Sequence, residues 1–123
     1  MDLLEILAAG EPIRQLCAQL DSGRRVIARG AHGSSASFTA AAVGRTRNRP
    51  VLLVVAHLDD ADEAVDELTS AEIDAIRLPA LEAMPGESAV SMELFAERLG
   101  AIRRLRVPSP PRVLIAPIQA LMQ

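Results

Sequence analysis

Apolar positions along the chain change period several times, and each change marks an element. "MDLLEILAA" carries its apolar residues at helical spacing and predicts a short amphipathic helix that ends at Gly10. "EPIRQLCAQL" places Pro12 in a first helical turn, where its missing N–H costs nothing, and the helix stops at "DSG". "RRVIAR" (24–29) reads as a short strand leading into the small-residue turn "GAHGSSAS". "SFTAAAVGRTRN" is helical, Ala-rich on its packing side and basic at its end, as the helix dipole favours. "PVLLVVA" (50–56) is a continuous branched apolar run, the pattern of a strand buried on both faces of a parallel sheet. A helix over about 59–72 opens on "DDADE", with Ala61, Val65 and Leu68 as its apolar stripe.

"IDAIRLP" predicts a third strand, and "ALEAMPGESAV" a loop turning at Pro85-Gly86. "SMELFAERLGAIRRL" predicts a helix that packs Leu94, Phe95, Leu99, Ile102 and Leu105 on one side. "VPSPP" breaks it, "RVLIAP" is a second buried strand, and "PIQALMQ" opens another helix. Alternating strands and helices with V/I/L-rich strands predict an α/β layered domain with a mainly parallel sheet and right-handed crossovers. The length of 123 residues fits one domain over 1–123. The apolar finish "IQALMQ" suggests a piece of a longer chain, with Ile118, Leu121 and Met122 in an exposed apolar patch.

Composition narrows the chemistry. Half of the residues are hydrophobic, enough for a core. No apolar run reaches the length of a membrane helix, and the acidic start does not resemble a secretory signal; a soluble cytoplasmic protein without a membrane partner is expected. Cys17 is the one cysteine, which excludes an internal disulfide and a multi-thiolate zinc site; its place on the apolar side of "IRQLCAQL" predicts a core role. Without Trp or Tyr and with two Phe, stacking platforms for single-stranded nucleic acid are missing. All 13 basic residues are Arg, so chemistry that needs a lysine amine is excluded.

The formal charge of −3 conceals a segregation. Residues 1–49 hold seven Arg against four acids, residues 50–97 one Arg against twelve acids, and residues 98–123 five Arg and no acid. Solvated helix faces account for this pattern, and a basic partner surface at Arg98, Arg103, Arg104 and Arg106 is the sharper alternative, suited to phosphate or an acidic protein rather than to base reading.

The turn Gly30-Ala31-His32-Gly33-Ser34-Ser35-Ala36-Ser37 occupies the strand–loop–helix position of the phosphate-loop template GxxxxGK[ST]. Gly30 and Ser37 match it. Ser35 stands at the second Gly and Ala36 at the Lys, so the charge that neutralises β/γ-phosphate is gone. A lost charge-assisted contact of this kind costs about 1.5–3 kcal/mol. The turn reads as a degenerate phosphate loop over Gly30, Gly33, Ser34, Ser35, Ala36 and Ser37, kept as architecture, with no cofactor and no catalytic residue. His32 and its neighbouring serines lack the G-x-S-x-G elbow, and helix capping by Ser34 or Ser35 is their plain role. The run Asp59, Asp60, Asp62, Glu63, Asp66, Glu67 near His57 reads as a solvated, dipole-favourable face rather than a Mg²⁺ site, and as a Walker-B element it lacks its partner lysine.

These residues resemble a family. "GAHGSSAS" is similar to "GVTGSGKT", the phosphate loop of the bacterial excision-repair B subunit, degraded in the manner of the start of the transcription-repair coupling factor. "LPALEAMPGESAVSMELFAERLGAIRRL" resembles that factor's strand, Pro-aromatic-acid turn and "RL" helix, with Glu82, Pro85, Glu97, Arg98 and Leu99 on matching places and Gly86 where the aromatic stands. "RVLIAPIQALMQ" is similar to its "VLIVPVNTLMQ". The resemblance implies a B-subunit-like first subdomain of helicase-type, degenerate P-loop topology. It implies a non-catalytic structural and regulatory module of a DNA translocase that displaces stalled RNA polymerase in transcription-coupled nucleotide excision repair. The ATPase motor and the contacts with polymerase, the excision-repair A subunit and DNA would lie in downstream domains of the parent chain. Two other readings of the residues stay open: a free-standing divergent P-loop-like nucleotide binder, and a small anion-binding or adaptor domain.

Overall fold

Three short strands pair in parallel, and the other described elements are arranged around the middle one. A computed structural model describes residues 2–81 and 92–122. Along the chain come α1 (Leu3–Ala9), α2 (Glu11–Asp21), α3 (Ser34–Arg47), β1 (Val51–Val55), α4 (Leu58–Ser70), β2 (Ala75–Arg77), α5 (Met92–Arg106), β3 (Val113–Pro117) and α6 (Ile118–Leu121). The sheet order is β1-β3-β2. Val51 sits opposite Val113 in one ladder and Ala75 opposite Val113 in the other. This is the α/β class with a parallel sheet that the residue pattern predicts.

Alternation along β3 divides the core. Val113 and Ile115 face one side, where they join Ala75, Leu53 and Val55 beneath Ala41 and Ala42 of α3 and Ala61, Ala64 and Leu68 of α4. Leu114 and Ala116 face the other, with Ile76, Leu78, Ala80, Ala101 of α5 and Ala120 of α6. β3 is buried at all five positions. Leu4, Leu7 and Ile13 extend the first cluster, and Cys17 is buried as expected.

Three predictions of the pattern need correction. "RRVIAR" forms no strand: residues 24–29 have no regular structure and Ile27 is 84% exposed. Val26, Ile27 and Ala28 among three arginines offer too little surface to hold a strand in a sheet. β1 is not buried on both faces; Leu52 and Val54 are 51% and 43% exposed, because β1 lies at the sheet edge and the second core cluster covers only β3 and β2. The apolar stripe of α5 is largely uncovered, with Phe95, Leu99, Ile102 and Leu105 each at least 40% exposed and Ala101 its buried residue. A sheet three strands wide gives a fifteen-residue helix little to lie on. The Pro85-Gly86 turn, with Glu82, lies outside the described residues. Ile118, Leu121 and Met122 are exposed, as anticipated.

Close approach decides Gly44. A Cβ there would stand 2.9 Å from the Arg49 carbonyl oxygen and 3.0 Å from Val51 Cγ2. The Gly44 carbonyl in turn accepts from Arg112 Nη1 at 2.9 Å, tying the end of α3 to the start of β3. Asn48 then closes the helix in the left-handed conformation, φ 51°. Beside this helix end Asp2 and Glu5 form a capping box, and Arg45 reaches both carboxylates at 3.0 Å. The Glu5 backbone N–H, then the Arg45 guanidinium, hold the Asp2 carboxyl below its usual range.

Leu68→Ala, at a fully buried position, is expected to cost about 2–5 kcal/mol in denaturant unfolding, while Leu52→Gln changes stability by less than about 0.5 kcal/mol. Gly44→Ala is expected to cost about 1–3 kcal/mol by the same measurement. Because folding lowers the Asp2 pKa, its ion pair supports the fold above the ordinary carboxylate range and that support disappears as pH falls through the lowered value. Carboxyl-carbon NMR titration should show Asp2 moving back toward its ordinary pKa in Arg45→Gln.

Candidate functional site

In open parallel sheets, ligands sit beyond the carboxyl ends of the strands. Here the carboxyl end of β1 meets the first turn of α3 and one face of α4. The turn before α3 is shaped by glycines: Gly30 has φ +90° and Gly33 φ +55°, a region that L side chains rarely adopt. Gly33 is the N-cap, with no side-chain cap bond. Capping by Ser34 or Ser35 is therefore not what the serines do. The Ser35 hydroxyl accepts from the His32 N–H at 2.8 Å and donates to the His32 carbonyl at 2.7 Å, so it closes the turn on itself. The turn lacks its leading strand, so the template is present as loop and helix alone.

A cavity of about 310 Å³ opens between these elements. Gly33, Ala36 and Ser37 form one wall, Leu53 through Ala56 the floor, and Asp60, Glu63 and Glu67 the opposite wall. Residues 60, 63 and 67 recur at helical spacing and thus share one face of α4. Where a phosphate loop gathers positive charge, this turn faces three carboxylates with no cation in the lining. That arrangement repels an anion. Their position against the turn could not be read from helical spacing, which shows that they share a face but not what the face meets. Among the described residues no group of three or more His, Cys, Asp or Glu is placed to hold a metal ion.

The C-terminal arginines do not converge. Arg104 pairs with Asp74, Arg98 Nη1 donates to the Pro79 carbonyl at 3.1 Å, and Arg103 and Arg106 are exposed. Arg77, the one Arg of the acidic stretch, is the residue the sequence reading passed over. It bonds Asp62 of α4 and, at 3.0 Å, Glu97 of α5, joining β2 to two helices. Burial works against its charge, yet hydrogen bonds to Glu97 and Asp62 leave it more firmly protonated than an ordinary arginine. Its isolation among twelve acids was the available signal.

No protein-family model matches the chain, and no solved structure matches it. The chain is 35% identical over 95 residues to the transcription-repair-coupling factor of Bacillus subtilis (strain 168), a match over 75% of this chain and 8% of that protein. It therefore spans less than a tenth of that relative's length. No helix among the described residues is long and apolar enough to cross a membrane.

The ion-pair hub makes a testable claim. Arg77→Met should loosen α5 against α4 and raise hydrogen exchange across residues 92–106, with the amides of β3 unchanged.

What the comparison supports is a domain related to part of a transcription-repair-coupling factor.

Proposed function

We propose that this chain is a non-catalytic structural and regulatory module of a transcription-repair-coupling-factor-like protein, using its α/β core to support neighbouring domains. The similarity to the Bacillus subtilis factor supports the relation to transcription-coupled DNA repair. The observation that carries the non-catalytic reading is the cavity at the turn: Ala36 replaces the lysine, and Asp60, Glu63 and Glu67 face the place a phosphate would take. In the parent protein, translocation on DNA and contacts with RNA polymerase and the excision-repair A subunit fall to other domains. Arg103 and Arg106 are the exposed cations available to an acidic neighbour or to phosphate, with Arg104 and Arg98 engaged within the fold.

The competing reading, a divergent nucleotide- or anion-binding domain, meets like charge at its own site. Titration calorimetry with ATP and magnesium is expected to give no saturable heat. Ala36→Lys alone should not create binding, because one added cation does not offset three carboxylates. Micromolar ATP binding that is abolished by Ser37→Ala would overturn the reading.

A further inference from the structure

The cavity beside the turn has properties that its failure as a phosphate site does not explain. Among the described residues Asp60, Glu63 and Glu67 form no ion pair, although Asp62 on the same helix does. Ser37 is 4% exposed and lines the same cavity, and its hydroxyl makes no hydrogen bond among the described residues. No fully enclosed side-chain polar atom among them lacks a partner. The Ser37 oxygen therefore keeps its contact with solvent, and the cavity supplies it. Leu53 and Val55 make the floor apolar.

We propose that this cavity binds an alkylguanidinium group, the end of an arginine side chain. The carboxylates receive the planar, charged donor fork, the Ser37 hydroxyl accepts a further N–H, and the aliphatic stem covers Leu53 and Val55. Magnesium fits worse, since it demands a near-octahedral oxygen set and keeps its water, against a floor that cannot hydrogen-bond to it. Phosphate is repelled. The N-terminus of α3 offers about half a positive charge, which one of the three carboxylates outweighs, so screening of that helix end leaves most of the acidic wall unaccounted for. The proposal stands apart from the coupling-factor reading and survives its failure.

Amide NMR of the intact chain at low ionic strength tests it, with agmatine as the free alkylguanidinium and a capped Ala-Ala-Arg-Ala-Ala peptide as the side-chain form. Saturable shifts at Gly33, Ser37, Ala56 and Glu63 are expected, with half-saturation at about millimolar concentration. Glu63→Gln should weaken binding about threefold, and Asp60→Asn with Glu63→Gln about tenfold, while far-UV circular dichroism stays unchanged. Tighter binding of the peptide than of agmatine would make a protein segment the source, and the reverse a small metabolite; both support the site. Shifts that do not saturate, that keep their half-saturation unchanged in the Asp60→Asn, Glu63→Gln double variant, or that magnesium or inorganic phosphate produces in place of agmatine overturn it. Glu11→Gln, far from the cavity, serves as the control that should leave binding as it is.

Discussion

Burial of β3 on both faces is the constraint on which the rest of the structure depends. All five of its residues pair with β1 and the first three also with β2, and it is enclosed above and below, so its ladder bonds form out of water and its side chains define two cores at once. Val113 and Ile115 fix how α3 and α4 sit, and Leu114 and Ala116 fix what lies on the opposite side. A parallel sheet is stable when helices cover it. Here that condition holds at the centre and lapses toward β1, where Leu52 and Val54 meet solvent.

The elements whose identity rests on local chemistry were readable from the residues. Pro12 opening a helix, Ala41 and Ala42 packing α3 closely, the acids at the head of α4 and the V/I/L runs of β1 and β3 each name their own structure. What could not be read depends on distant partners. "RRVIAR" and "IDAIRLP" both set a few apolar residues among charges, but only the segment with β3 beside it pairs. The stripe of α5 is periodic whether or not a surface lies under it, so periodicity alone overstated its burial. Gly44 shows the same limit: the carbonyl that makes it irreplaceable belongs to a loop five residues away and faces it only after the chain turns at Asn48.

The candidate site follows this division. Ala36 at the lysine position was visible at once and already argues against nucleotide chemistry. The more decisive fact, that the acidic face of α4 closes over the same turn, is a matter of how two helices lie across β1. Charge segregation along the chain therefore has a spatial meaning at the turn. At the arginine-rich end it dissolves into separate local uses, with Asp74 and the Pro79 carbonyl each taking one guanidinium.

α5 joins the body through Arg77, Arg98 and Arg104 more than through its apolar residues. Contacts of this kind weaken with ionic strength, whereas buried hydrocarbon does not. The molecule thus contains two classes of attachment with opposite responses to salt. Added electrolyte weakens the hold on this helix more than the hold within the sheet, making α5 the part of the fold most sensitive to the surrounding solution.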